Sequence, residues 1–217
     1  MGIKKSRNKS KGEWLHRHVN DQFVQKAQQE GYRSRAAYKL IEILEAEQLG
    51  KSTLLRVVDL GSAPGAWSQV LAKRLSARAR IVALDLLPME PVEGVRFIQG
   101  DFREAEALQA LEAELGDRSL DLVVSDMAPN LSGVAVADSA RMSDLAELAL
   151  DLARQRLTPD GVLVIKCFHG SGFSQIVRDF KLVFRQVRER KPQASRAESA
   201  ETFLIGRGLK ADAGSAD

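Results

Sequence analysis

The stretch Val57-Val58-Asp59-Leu60-Gly61-Ser62-Ala63-Pro64-Gly65-Ala66-Trp67 constrains this chain more than any other. Apolar and β-branched residues run up to Leu60, the pattern of a buried strand. Two glycines and a proline then stop the strand and force a tight loop. Beyond the loop, Trp67, Val70, Leu71 and Leu75 recur at helical spacing. Strand, glycine loop and helix in that order form the first unit of a nucleotide-binding α/β sheet, with the ligand at the loop. A dinucleotide site uses G-x-G-x-x-G, so that backbone amides reach a pyrophosphate. Here three residues separate Gly61 from Gly65, and Pro64 removes an amide donor. The loop is therefore poor at cradling phosphate. It suits a ligand with adenosine at one end and a charged amino-acid tail at the other.

The chain has 217 residues, enough for one α/β domain with a sizeable core. No apolar run is long enough to span a membrane. The charged N-terminus lacks the apolar segment of a secretory signal. A single cysteine, Cys167, excludes an internal disulfide and fits a reducing cytosol, so a cytoplasmic location is expected. Lying in an apolar strand, it reads as a buried bystander. Residues 1–39 hold ten Lys/Arg against three Asp/Glu, and residues 178–196 hold seven against two. Two basic segments on a slightly acidic body suggest a polyanionic partner, most simply nucleic acid.

Residues 1–12 are Lys-, Ser- and Asn-rich and read as a disordered basic tail. A helical pattern spans Glu13–Glu30, and a second helix is expected from Ala36 to about Gln48, with Ser34 as its N-cap. Strands follow at Arg56–Leu60, Arg80–Asp85, Val95–Gln99, Leu120–Asp126 and Val162–Phe168. Helices are expected at about Ala66–Ser76, Glu104–Leu115, Asp138–Leu157 and from Phe173. Phe184–Arg190 and Thr202–Gly206 close the list of strands. The loop between these last two has no helix, so they should pair antiparallel. Residues 13–207 thus read as a single domain and 208–217 as a flexible tail. The fold class is α/β and Rossmann-like: seven strands, mostly parallel, the last one antiparallel, with helices on both faces.

Ligands in such sheets bind outside the carboxyl ends of the parallel strands. Asp85 ends strand two and is placed for ribose hydroxyls; Asp101 follows strand three and is placed for an adenine amino group. Either acid has a plainer reading as a turn or helix cap. Asp126 ends strand four, and Lys166 lies late in strand five, where a lysine is out of place unless paired or functional. Glu201 begins the last strand at the same rim, and Lys39 precedes strand one and can fold over it. Two lysines and two acids are neutral together, which makes partial burial tolerable.

These residues resemble the RrmJ/FtsJ (RlmE) family of ribosomal RNA ribose 2′-O-methyltransferases, from about Trp14 to Arg207. The resemblance rests on Ser34-Arg35-Ala36 before Lys39, on Asp59 through Gln69, Asp85-Leu86-Leu87-Pro88-Met89, Gln99 through Arg103, Ser125 through Asn130, the strand around Lys166, and Arg190-Lys191-Pro192 through Ser195-Arg196 to Glu201. It implies an S-adenosyl-L-methionine-dependent enzyme with a Lys-Asp-Lys-Glu tetrad at Lys39, Asp126, Lys166 and Glu201. It also implies cofactor contacts at Gly65, Trp67, Asp85, Asp101 and Asp126. Ala66 stands where a second glycine is usual, and Phe203 where a tyrosine is common. The implied substrate is a uridine ribose in 23S ribosomal RNA of the large subunit, late in assembly. Alternatives are transfer RNA as substrate, or a non-catalytic RNA-binding assembly factor. Lys166 is expected to meet the 2′-hydroxyl, as orienting donor or as base. RNA contacts are expected at Arg33, Arg35, Lys39, Arg188, Arg190, Lys191 and Arg196. A monomer is expected, with no metal.

Overall fold

The computed structural model describes residues 21–50, 55–129, 133, 135–170 and 172–211. Seven strands form one sheet: β1 (Arg56–Leu60), β2 (Arg80–Asp85), β3 (Val95–Gln99), β4 (Leu120–Ser125), β5 (Leu157–Phe168), β6 (Phe184–Arg190) and β7 (Glu201–Leu209). Six helices are described: α1 (Gln22–Gln29), α2 (Ala36–Ala46), α3 (Ala66–Arg74), α4 (Ala105–Leu115), α5 (Ala135–Arg156) and α6 (Phe173–Val183). The strand order is β3-β2-β1-β4-β5-β7-β6. β1 pairs parallel with β2 on one side and β4 on the other, so the winding reverses between β1 and β4. β7 lies antiparallel between β5 and β6. The expected fold class is the observed one.

Alternation along the central strands builds two cores. Val57, Leu122, Val124, Val164, Phe203 and Ile205 pack with α2 and α3. Their neighbours Val58, Leu60, Val123, Leu163 and Ile165 pack with α4, α5 and α6 on the opposite face. That is why β1 reads as an unbroken apolar run: both of its faces are covered. β6, at the edge, buries little beyond Phe184 and presents charges.

Several boundaries differ from the sequence reading. Asp21 accepts the Phe23 amide at 2.9 Å and caps α1, which starts at Gln22; the expected helix before Asp21 lies outside the described residues. Arg35, not Ser34, occupies the cap position of α2, although the Ser34 hydroxyl still accepts the Ala36 amide at 3.2 Å. Thr158-Pro159-Asp160-Gly161 falls inside β5. The register steps from Leu120↔Leu157 to Leu122↔Val162, so the sheet absorbs the turn residues as a bulge. β7 runs to Leu209 and takes in the first residues of the expected C-terminal tail; the expected N-terminal tail lies outside the described residues. Among the described residues no helix is long and apolar enough to cross a membrane.

Candidate active site and cofactor cavity

A cavity of about 620 Å³ opens at the carboxyl ends of β1 to β4, on the switch point; its wall includes Gly61, Asp85, Asp101, Phe102, Asp126 and Met127. Gly61 has φ 72°, and a Cβ there would lie 2.8 Å from the Met127 amide nitrogen. Glycine lets the tip of β4 close onto the β1 loop. Asp85 is fixed by two amides: Ala63 donates to Oδ2 and Leu87 to Oδ1, each at 2.8 Å. Asp101 accepts Nε and Nη2 of Arg103 at 3.0 and 2.6 Å. Those hydrogen bonds hold its carboxyl below the usual range, outweighing its partial burial.

The wall fits a nucleoside with a cationic tail and not a polyphosphate. Four carboxylates, Asp85, Asp101, Asp126 and Asp144, offer acceptors for hydroxyl and amino groups. Both lining arginines are near acids already, Arg103 on Asp101 and Arg141 3.7 Å from Asp138. Beneath the loop, Asp59 Oδ1 and Ser62 Oγ are buried without a hydrogen-bond partner among the described residues. Unmatched buried polar atoms cost free energy until a partner arrives. Asp59 is fully buried; its other oxygen accepts the Ser68 hydroxyl at 2.7 Å. Burial pushes its carboxyl up to about 7, against the Ser68 hydrogen bond and with help from Asp126 and Asp85.

Gly65 and Trp67 do not line the cavity. Gly65 (φ 106°) leads into α3, and Arg33 Nη1 lies 2.5 Å from where its Cβ would stand. The Trp67 indole is buried behind the loop, donates to the Ala36 carbonyl at 2.8 Å and packs 5.7 Å from the Phe203 ring. The pair shapes the loop and ties α3 to α2, which carries Lys39.

The four tetrad residues converge as two ion pairs. Strand register explains one: Ser125 pairs with Ile165, which sets Asp126 beside Lys166. Lys166 Nζ is 3.0 Å from Asp126 Oδ1 and donates to the Asp126 carbonyl. Across β5, Phe168 pairs with Glu201, and Lys39 reaches from α2 to within 2.7 Å of the Glu201 carboxylate. Ser195 donates to Glu201 Oε1 at 2.7 Å, a partner that the sequence reading did not single out as functional. The four side chains are only 10–19% exposed. Burial alone would raise the Glu201 carboxyl; Lys39, Ser195 and Lys166 more than offset it and hold it low. Lys166 is felt at Glu201, so the two pairs form one electrostatic unit. Phe203 lies under Lys39, 5.9 Å from its ammonium.

The expected RNA-contacting residues are mostly committed inside the fold. Arg33 donates to the carbonyls of Pro64, Glu90 and Pro91 at 2.9, 2.6 and 2.8 Å. Arg35 pairs with Asp21 and donates to the Ala194 carbonyl. Arg188 and Arg190 meet Glu47 at 3.0 and 2.7 Å. Lys191 donates to the Ala197 and Ser199 carbonyls. Arg196 is exposed and its side chain has no hydrogen-bond or ion-pair partner among the described residues. Glu47 and Glu42, which hold α2 against β6 and the Gln193–Ala194 amides, carried no signal in the sequence: each is one acid on a polar helix face.

A sheet of this order, with an inverted penultimate position and an acid-lined cavity at the β1–β4 tips, defines the Rossmann-like methyltransferases. The chain belongs to the FtsJ-like methyltransferase family, whose profile matches residues 32–209. It is 58% identical over 210 residues to the Ribosomal RNA large subunit methyltransferase E of Bordetella avium, covering 94% of this chain and 95% of that one. It is 55% identical over 217 residues to the protein of the same name in Paraburkholderia phymatum, covering 94% and 98%. Among solved structures, one described as a ribosomal RNA methyltransferase of Plasmodium falciparum superposes with a TM-score of 0.72 at 27% identity, covering 82% of this chain and 98% of that one. Fibrillarin of Aeropyrum pernix, solved with bound S-adenosyl-L-methionine, superposes at 0.54 and 15% identity over 79% of this chain and 73% of its own, a likeness of fold alone.

Proposed function

We propose that this chain methylates the 2′-hydroxyl of a uridine ribose in 23S ribosomal RNA, within the large ribosomal subunit late in its assembly, in the cytoplasm, with S-adenosyl-L-methionine as methyl donor. The observation that carries this reading is the pair of coupled ion pairs, Lys166–Asp126 and Lys39–Glu201, joined through Asp126 to the wall of an acid-lined cavity. The names borne by the relatives support the choice of ribosomal RNA.

Asp85 and Asp101 would hold the ribose and adenine of the cofactor, and Asp126, also on the cavity wall, would receive its ammonium end. When bound, the cofactor supplies a methyl group on a sulfonium, which departs as a neutral sulfide. The protein's task is then alignment, which alone can supply a large share of the rate. Lys166, an ammonium fixed between a carboxylate and a carbonyl, meets the 2′-oxygen as a donor and aims its lone pair. Lys39, steadied by Glu201 and Ser195, places a second positive charge next to it. Once the oxygen is alkylated it sheds its proton readily, so a carboxylate or water suffices and no strong base is required.

The test is methyl-labelled S-adenosyl-L-methionine with unmodified large subunits, naked ribosomal RNA and transfer RNA in parallel, followed by alkaline hydrolysis. Label in an alkali-resistant dinucleotide from the subunits is the expected result. Label confined to transfer RNA would move the substrate, and bound cofactor with no transfer anywhere would end the enzymatic reading.

A further inference from the structure

We infer that Arg33 is a positioning residue for the cofactor site: its guanidinium is a strut that holds two cofactor-facing loops in register from behind. This rests on the cofactor reading above. One loop joins β1 to α3 and contains Pro64 and Gly65. The other leaves β2 at Asp85, the carboxylate on the cavity wall, and passes through Met89, Glu90 and Pro91. Arg33 donates to a carbonyl in the first loop, Pro64 at 2.9 Å, and to two in the second, Glu90 at 2.6 Å and Pro91 at 2.8 Å. No carboxylate pairs with it among the described residues, so its charge is matched by carbonyl dipoles alone.

The space it uses has been cleared for it. A Cβ on Gly65 would lie 2.5 Å from Arg33 Nη1 and 3.0 Å from Met89 Sδ. Glycine at that position thus serves the close passage of the guanidinium as well as the loop's left-handed turn. The root of the strut is anchored too: the Arg33 amide donates to Gln69 Oε1 at 2.9 Å, and Gln69 Nε2 donates to the Gly31 carbonyl at 3.0 Å. A planar fork with several fixed donors can span two loops; a lysine ammonium radiates from one point and cannot. Arg33 also begins the segment that leads into α2, so the same strut joins the helix carrying Lys39 to the loops that face the cofactor.

The experiment compares wild type, Arg33→Ala and Arg33→Lys. S-adenosyl-L-methionine binding is read by calorimetry, binding of a large-subunit ribosomal RNA transcript by filter retention, and folding by the thermal midpoint of the same samples. Both variants should lose cofactor affinity by about tenfold or more, with RNA affinity held within about threefold. The KM for the cofactor should rise while kcat at saturation stays near wild type, a split that general destabilisation would not produce. Unchanged cofactor affinity with lost RNA binding would overturn the strut and make Arg33 a phosphate contact. Loss of folding in both variants would overturn it as well, making Arg33 a determinant of the fold. If wild type itself bound no S-adenosyl-L-methionine, the cofactor assignment would fall, and this role with it.

Discussion

Helix α2 carries a buried ion network at each end, and the two differ in which partners stay dry. Near its start, Lys39 joins Glu201, next to Lys166 and Asp126, with all four side chains shielded and Asp126 on the cavity wall. At its C-cap, Glu47 is 2% exposed but takes two guanidinium groups that are 51% and 41% exposed. Its carbonyl also accepts Arg207 at 2.9 Å, and none of these residues lines the cavity. Desolvating both members of an ion pair is costly, and apolar residues often serve stability as well or better. The Glu47 network keeps that cost low by leaving its cations wet, and it fastens β6 to α2. The tetrad leaves both partners of each pair shielded, with Asp126 on the wall of the cavity. Two ion networks on one helix therefore do two different jobs, and the neighbouring cavity separates them.

Lys166→Ala is the sharpest way to break this contrast. On the proposed mechanism, transfer should fall by roughly 10²–10⁴-fold, with cofactor affinity within about threefold, because that mechanism sets the ammonium on the 2′-oxygen and not on the cofactor. Single-turnover assays and calorimetry on the same preparation decide it; an equal loss of cofactor affinity would make Lys166 a binding residue. Glu47→Gln should do the reverse. Breaking a buried pair commonly costs 3–5 kcal/mol, but here both arginines can turn into water, so about 2–3 kcal/mol is expected. For a chain of this size that is on the order of 5–10 °C in Tm, with activity per folded molecule unchanged. A drop in kcat at a temperature where the variant is fully folded would merge the two networks into one.

Much of this was legible in the sequence, and what escaped has a physical reason. Glycine spacing, strand-end acids and a lysine stranded in an apolar run marked β1, β2, β4, β5, Asp126 and Lys166, because each breaks a periodic pattern at a fixed offset; the grouping with Lys39 and Glu201 as a tetrad rested on the family resemblance. Arg33, Arg35, Arg188 and Arg190 were legible only as charge. Their partners are loop carbonyls, Asp21 and Glu47, brought together by tertiary contact and invisible to local spacing. The bulge at Thr158–Gly161 escaped for a related reason: turn-forming residues announce a break, whereas pairing with β4 decides whether the sheet absorbs it. Ser195 is one serine in the loop before β7, and nothing in its chemistry announced Glu201.

The buried acid under the cofactor loop sharpens the comparison through pH. An aspartate unfolds to a pKa of about 3.9, whereas Asp59 in the fold is raised to about 7, chiefly by burial. Between these values the unfolded chain has lost a proton that the folded chain keeps, so Asp59 makes stability fall as pH rises from about 4 to 7. Glu201, held low, contributes stability that is present above its unfolded pKa and lost on acidification. Asp59→Asn should therefore gain stability over wild type as pH rises from 5 to 7, by on the order of 1–3 kcal/mol. Urea denaturation across that range reads it, and a gap that does not change with pH would mean Asp59 does not titrate there.

The smallest effect tests the basic surface. If the Glu47-bound arginines belong to the fold, Arg188→Ala should leave RNA affinity unchanged once folding is accounted for. Arg196, exposed beside Arg35 at the tetrad end, should behave differently. Its loss is expected to weaken RNA binding by a few fold and reduce the slope of log K against log salt by about one, the signature of a single phosphate contact. A titration of RNA binding between low and moderate salt separates the two variants. Equal slopes for wild type and Arg196→Ala would remove Arg196 from the RNA surface, and a lower slope for Arg188→Ala would show that Glu47 lends its arginines to RNA.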